Sequence, residues 1–404
     1  MYPNLRYAVY DILGLDIQSL QLIQMYGFLL ALAFLASGWA LTTDLKRRER
    51  LGLLEGIEEQ QEVGRPLAIA DIATSAILGF LLGFKGVYAI AHSEVFMGSN
   101  AKDAFLSLQH GYWITGILGT LLFVGIKYRE KRKELAEYPT PTTIAKTVMP
   151  HERVSDIVII AAISGIVGSK LLYMTEIDYT SFDSAMNDFF SGSGLSIYGG
   201  LILGFISVVY YIRKKKIPFF QMVDAAAPAI FLAYGVGRLG CHFSGDGDWG
   251  DPNPYTKPFS WLPDWLWAYR YPNNVLNQGD LMTDCGGYPE GLTDFCHILP
   301  QGVFVTPVYE FIMSVVIFGI LWKLRHGIKA HGLLFFIYLI FNGLERFTIE
   351  MVRVNDDYTV GGLNLSQAQY IAIALFTIGV LGTIFMTKRQ RDLVAAEKQQ
   401  NTPL

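Results

Sequence analysis

Long apolar runs broken by short charged segments dominate this chain of 404 residues. A membrane-crossing helix needs roughly 20 consecutive, mostly apolar residues. Nine stretches meet that length or come near it. Their expected bounds are Gln21–Thr42, Ala70–Ala91, Tyr112–Lys127, Val154–Met174, Leu195–Ile212, Phe219–Gly240, Val303–Trp322, Gly332–Val354 and Gln367–Met386. The pattern predicts an all-α, polytopic integral membrane bundle of about nine transmembrane helices.

The loops between these stretches alternate in charge. Lys46, Arg47, Arg48 and Arg50 follow the first, and Lys127, Arg129, Lys131, Arg132 and Lys133 follow the third. Arg213 to Lys216 follow the fifth, Lys323, Arg325 and Lys329 the seventh, and Lys388, Arg389 and Arg391 the ninth. The second loop carries Lys102, the fourth has no Lys or Arg, and the long sixth has Lys257 and Arg270. The positive-inside rule then predicts an N-terminus outside and a cytoplasmic C-terminus. The expected organisation is helices one to six within 1–240, an extracytoplasmic head at 241–301, helices seven to nine within 302–387, and a cytoplasmic tail at 388–404. The head is rich in aromatics, including Trp249, Trp261, Trp265 and Trp267, which suit headgroup depth.

Composition agrees with a membrane protein: 51% of residues are hydrophobic and only 17% charged, with a net charge of -4 that points away from nucleic acid. The three cysteines, Cys241, Cys285 and Cys296, form no CxxC, so no zinc site is expected. All three are expected outside, with Cys285 and Cys296 either disulfide-bonded or free. No cleaved signal peptide is expected, because a basic n-region and an A-x-A-like site are missing. An internal echo runs at a constant offset of 85 residues. Asp71, Gly83, Lys85, Tyr88, Asp103, Phe105, Leu118 and Gly119 recur as Asp156, Gly168, Lys170, Tyr173, Asp188, Phe190, Leu203 and Gly204. The shared register suggests a duplicated helix pair.

Ionisable groups within a bilayer are expensive, so each is a functional candidate. Tyr26, Tyr198, Arg238, Tyr309, Glu310, Arg346 and Glu350 come from five helices, and the orientation above puts them all near the outer end. Asn342, Arg346 and Glu350 are spaced four apart, with Arg353 near the same face, so Arg346 and Glu350 can pair. Arginine's planar fork suits phosphate, which makes Arg346 and Arg238 two arms of a candidate anion clamp. In YGVGRLGCHFSGDGDWG, from Tyr234 to Gly250, six glycines surround Arg238, His242, Asp246 and Asp248. The two acids alone do not argue for a metal. The glycines of Tyr198-Gly199-Gly200 allow a helix or a lipid chain to come close. Lys85 is expected to snorkel to the interface.

These segments resemble the prolipoprotein diacylglyceryl transferase family. GRLGCHFSGDGDWG is similar to its Gly-Arg-x-Gly-Asn signature with a following acid and glycine, SIYGGLILG to its His-Gly-Gly-Leu segment, TPVYE to His-Pro-x-Gln-x-Tyr-Glu, RFTIEMVRVND to Arg-Phe-x-x-Glu-Phe-x-Arg, and MYGF to its first-helix Tyr-Gly. The departures are Tyr198 for the family histidine, Cys241 for its asparagine, and one extra residue before Gly250. The family usually has seven helices, and an extra pair over about Ala70 to Lys127 accounts for nine. The resemblance implies transfer of the diacylglyceryl group of phosphatidylglycerol to the lipobox cysteine of prolipoproteins at the bacterial plasma (inner) membrane, with glycerol 1-phosphate leaving. It implies catalytic roles for Tyr198, Arg346, Glu350, Asp246 and Tyr26. It implies phosphatidylglycerol binding by Arg238, Arg346, Gly199, Gly200, Gly240, Gly250 and Tyr309. The base that activates the thiol stays open among Tyr198, Glu350, His242 and Asp246. No cofactor is expected, since neither a Walker A pattern nor a dinucleotide fingerprint is present. A membrane transporter or a lipid-binding scaffold is the competing reading; a transporter would place its polar groups near the midplane.

Overall fold

The computed structural model describes residues 1–92, 95, 107–179, 181–190, 194, 196–285, 287–289, 291–353, 357–360 and 363–400. Lys102, Asp103 and Phe105, and the expected bounds Leu195 and Val354, all named above, lie outside the described residues. Each of the nine expected stretches coincides with a helix. The helices are α1 (Leu5–Leu13), α2 (Met25–Arg50), α3 (Ile69–Leu81), α4 (Trp113–Glu137), α5 (Val154–Thr175), α6 (Phe182–Phe190), α7 (Ile197–Lys214), α8 (Phe219–Ser244), α9 (Thr306–Leu324), α10 (Leu333–Glu350) and α11 (Gln367–Gln400). A π-helical turn at Leu82–Gly86 and a last turn at Val87–Ala91 extend α3. Among the described residues, seven helices are long and apolar enough to cross a membrane. The remaining two long helices each carry three charges within a membrane-length window: Lys127, Arg129 and Glu130 in α4, and Glu345, Arg346 and Glu350 in α10. Many outward side chains are apolar and exposed, such as Leu35, Ile114, Leu201 and Phe385. Lipid, rather than water, satisfies such a surface. The protein is a multi-pass membrane protein.

The chain divides into two compact units. One comprises Val9–Leu22 and Glu55–Tyr211. In it, α3 and α4 approach at glycines: a Cβ on Gly79 would meet the Gly119 carbonyl oxygen at 2.4 Å, and one on Gly83 would meet Thr115 O at 2.1 Å. The same device joins α5 to α7, where a Cβ on Gly168 would meet Gly199 O at 2.3 Å. Small residues let the backbones approach where lipid supplies no hydrophobic drive. Lys85 Nζ donates to the backbone oxygens of Ser107 and His110, and Lys170 Nζ to that of Asp188. Each lysine therefore tethers the connection following its own helix, and Lys85 does more than snorkel. An antiparallel ribbon pairs β1 (Ile57–Val63) with β2 (Thr142–Val148), Ile57 opposite Val148 and Val63 opposite Thr142. No local pattern predicts it, because its two strands lie far apart in sequence and carry mixed polarity. Arg153 paired with Glu59, and Gly64 N–H donating to Glu134 Oε1 at 2.9 Å, anchor it to the helices.

The other unit comprises Met1–Ala8, Ile23–Leu54 and Ile212–Leu404. Its centre is α8, packed against α2 and α9, while α10 packs along α11. Asp224 of α8 caps α10, accepting from the N–H groups of Gly332 at 2.7 Å and Phe335 at 2.9 Å. These orphan donors at a helix start favour a negative partner. Beyond α8, the chain folds over a small core of Tyr271, Leu299, Val303, Val305 and Val308. A Cys285–Cys296 disulfide closes a loop there, while Cys241 is a buried free thiol. The N-terminal segment is tied to the same region: the Met1 ammonium donates to Pro272 O at 2.9 Å and Arg6 Nη1 to Gly291 O at 3.0 Å.

Candidate active site

Four helix ends of the second unit carry all the candidate groups but Tyr198, Gly199 and Gly200: the start of α2, the end of α8, the start of α9 and the end of α10. The end of α8 is set by Gly245, whose φ of +65° is a left-handed cap position that glycine adopts without strain. The chain turns back there and brings Asp246 and Asp248 beside Arg238.

Glu310, on the first turn of α9, is the hub. It is fully buried, with a side-chain exposure of 0%. Its Oε2 lies 3.2 Å from Arg238 Nε, close but off the hydrogen-bonding axis. Its Oε1 accepts from Tyr234 OH at 2.8 Å and lies 3.4 Å from Arg353 Nη1 and 3.8 Å from Arg346 Nη1. Asp248 joins the same arginines from the other side, with Arg238 Nη1 on Oδ2 and Arg353 Nη2 on Oδ1 at 2.7 Å. Arg346 Nη2 lies 3.0 Å from Glu350 Oε2, which realises the spacing of four read from the sequence, and Ser366 donates to Glu350 Oε1 at 2.7 Å. Three guanidiniums thus meet three carboxylates in a largely buried network, and this mutual pairing is the condition under which buried charge is tolerated. Tyr234 also donates to Glu345, at 3.1 Å. Arg346 is the most open of the three arginines, with 27% of its side chain exposed. A cavity of about 320 Å³ lies alongside, lined by Glu350, Arg353, Ser366 and Gln369 among others.

The two aspartates differ. Burial, then the charge of Asp248, raises the carboxyl of Asp246 above its ordinary value. Burial would raise Asp248 as well, but the guanidiniums of Arg238 and Arg353 outweigh it and hold that carboxyl low. Cys241 Sγ and oxygens of both aspartates lie within 4.8 Å of one another. Each oxygen of Asp248 already faces a guanidinium, an arrangement that suits an anion better than a metal cation.

The structure brings Arg238 and Arg346 onto one carboxylate, with Glu350 beside them and Asp246 on the adjoining turn. Tyr26 packs on Gly240, where a Cβ would meet its ring at 3.2 Å. Gly250 lies so close to the chain end of α10 that a Cβ would meet Val352 O at 2.2 Å; Gly250 and Arg353 form a β-bridge there. Tyr309 turns away from the arginines: its ring packs on the Tyr271 core and its hydroxyl donates to Trp267 O at 3.4 Å. His242 is buried against Tyr271 OH, at 3.3 Å, within an aromatic cluster. Tyr198, Gly199 and Gly200 belong to the first unit. There Tyr198 is 38% exposed, Gly199 abuts Gly168, and Gly200 abuts Ser169.

The sequence names Glu310 among the ionisable candidates and places Asp248 and Arg353 near them, but it assigns no role to these three or to Tyr234. The signal for Glu310 and Arg353 was present, as ionisable residues at the ends of apolar runs. Nothing local distinguished Glu310 from its neighbour Tyr309. The candidate groups of this unit gather at one end of its helices, with Tyr234 and Glu345 about one turn deeper.

The family model described as prolipoprotein diacylglyceryl transferase matches residues 110–385. Tyr26 and α3 lie before that stretch. Curated relatives named phosphatidylglycerol–prolipoprotein diacylglyceryl transferase include one from Corynebacterium glutamicum, 29% identical over 60% of this chain and 71% of its own length. Another, from Dehalococcoides mccartyi, is 28% identical over 70% of this chain and 90% of its own. A third, from Clostridium tetani, is 29% identical over 60% and 83%. A match across more than half of the chain means that this chain belongs to the prolipoprotein diacylglyceryl transferase family.

Proposed function

We propose that this chain transfers the diacylglyceryl group of phosphatidylglycerol to the lipobox cysteine of prolipoproteins, the first step of lipoprotein maturation. The cysteine sulfur attacks the glycerol carbon that bears the phosphate. The carbon–oxygen bond breaks, a thioether forms, and glycerol 1-phosphate leaves. The carrying observation is the buried network of three arginines at the helix ends. A phosphodiester is an anion that guanidinium forks bind in two-pronged fashion, and the leaving phosphate gains charge as the bond breaks. Fixed positive groups aimed at developing charge are a strong form of catalysis.

In this reading Arg346, the open member, meets the phosphate first, and Arg238 joins it as the phosphate competes with Glu310 and Asp248 for the guanidiniums. Glu350 orients Arg346. Asp246, with its raised proton affinity, is the group assigned to the thiol proton, with Tyr198 as the alternative that the family resemblance offers, since a free thiol at its ordinary pKa of about 8.5 needs activation. Tyr26, Gly240 and Gly250 bring the ends of α2, α8 and α10 close around the network, whereas Gly199 and Gly200 are taken up by the contact of α7 with α5. The N-terminus and the 241–301 segment face outside and the basic loops face the cytoplasm of a bacterial plasma membrane. The helix pair from about Ala70 to Lys127 is a duplicate of the pair that follows it, a reading supported by the 85-residue register and by the paired glycine crossings.

The test is purified protein in detergent with phosphatidylglycerol and a lipobox peptide, following glycerol phosphate release. Release that requires the peptide cysteine, and stops when that cysteine is serine, is the expected result. A folded sample without release refutes the reading.

A further inference from the structure

A second cluster of arginines lies at the opposite end of α2 from the candidate active site. Tyr26 and Asp44 lie on the same helix, 18 residues apart, a separation of roughly 27 Å at ~1.5 Å per residue. Asp44 is fully buried and holds three guanidiniums. Arg47 Nε and Arg325 Nη1 lie 2.8 Å and 3.1 Å from Oδ1, and Arg48 Nε lies 2.7 Å from Oδ2. The Arg48 and Arg325 side chains are each only 6% exposed.

This cluster is short of negative charge. Asp224 is within electrostatic range of Arg48 and Asp44, but its two oxygens are spent on the backbone of Gly332 and Phe335. Counting both acids, three arginines still exceed them by one, and Arg48 and Arg389 add positive field at His331. Arg325 Nε is buried with no hydrogen-bond partner. Among the described residues, no acceptor meets the Nη groups of Arg47 or Arg48. Burial, together with the like charges of Arg47 and Arg48, holds Arg325 below the usual arginine value despite Asp44. In the candidate active site, by contrast, three guanidiniums face the carboxylates of Asp248, Glu310 and Glu350 directly, with Asp246 and Glu345 also in range.

The surroundings indicate the depth. The Arg325 guanidinium stacks on Trp322, 3.1 Å from the ring centroid, and Trp322 stacks on the outward Trp39 at 5.8 Å. Tryptophans of this kind sit at headgroup level. A basic pocket between helices at that level recognises phosphate-bearing headgroups.

We infer that Arg47, Arg48 and Arg325 form a second anion site, which binds the phosphate of an anionic phospholipid in the leaflet at that end of the bundle. The lipid is held as a structural ligand, apart from any chemistry at the other end. A free phosphate carries the same chemistry, and the test separates the two sources.

The full chain, delipidated in detergent, is titrated with dioleoyl phosphatidic acid, with dioleoyl phosphatidylcholine, or with inorganic phosphate. The unfolding midpoint and lipid retained in native mass spectrometry are followed. All samples carry Arg346→Ala, which removes the open arginine of the other site. Phosphatidic acid is expected to raise the midpoint and to be retained. Arg48→Gln and Arg47→Gln are each expected to raise the half-saturating concentration about tenfold, or ~1.4 kcal/mol. Asp44→Asn, which removes the competing carboxylate, is expected to lower it; if that variant folds only with the anion added, the dependence itself supports the site. Inorganic phosphate matching phosphatidic acid supports the site and makes soluble phosphate its ligand. Phosphatidylcholine matching phosphatidic acid, or curves unmoved by the arginine substitutions, overturns it.

Discussion

Glu310→Gln isolates the contribution of charge to the active-site network, because glutamine keeps the shape and removes only the negative charge. Glu310 is fully buried and lies within 4 Å of three guanidiniums. The three directly paired positive and negative groups become three and two, and one guanidinium loses its partner around a fully buried position. Removing one partner of a buried pair costs about 3–5 kcal/mol, most of it from the stranded charge. The same argument makes the loss recoverable. In Glu310→Gln with Arg353→Gln the charges balance again, so the double variant is expected to be more stable than the sum of the singles by about 1–3 kcal/mol. Equilibrium unfolding in mixed micelles of the wild type, both singles and the double measures this coupling. Strict additivity, or a Glu310→Gln loss under about 1 kcal/mol, would show that water already screens the network and would refute the reasoning.

Four further outcomes follow from the geometry. Arg346→Ala is expected to insert normally and to lose roughly 100- to 1000-fold in transfer rate, the cost of one donor aimed at developing charge; an unchanged rate removes it from the phosphate site. Tyr198→Phe is expected to slow transfer sharply with unchanged insertion, and a wild-type rate moves the proton acceptor elsewhere. Gly250→Ala forces a Cβ onto Val352 O and is expected to cost about 1–3 kcal/mol, whereas Gly237→Ala, with nothing within 4 Å of the new Cβ, is expected to be neutral or to gain up to ~1 kcal/mol from helix propensity; unfolding midpoints compare the two. For Asp246 the folded pKa is raised, so its stabilising contribution is full below the unfolded value of about 4 and is lost as pH rises through the folded value. Asp246→Asn should therefore abolish that part of the decline in stability with rising pH; identical pH–stability curves for the variant and the wild type contradict the raised pKa.

The helices were legible from the chain alone because a bilayer leaves few options: backbone polar groups must be satisfied internally, so every long apolar run becomes a helix. The spacing of four between Arg346 and Glu350 fixed their pairing for the same local reason, since a single helix decides which residues share its face. The glycines at 235–250 marked close approach, and Gly245 and Gly250 serve it. The tertiary structure alone could decide what sits between helices. Glu310 is the hub and Tyr309 is not, because the rotation of α9 against α8 and α10 turns one inward and the other toward the Tyr271 core. Asp248 and Arg353 belong to the network because the turn after Gly245 and the Gly250–Arg353 bridge bring them there over 105 residues of chain. The ribbon of β1 and β2 also joins segments too far apart in sequence for any local pattern to pair. Sequence determined the elements and the candidate chemistry through local periodicity and the cost of charge in lipid. Which charges neutralise one another, and which guanidiniums are left in excess at Asp44, depends on distances between elements that only packing sets.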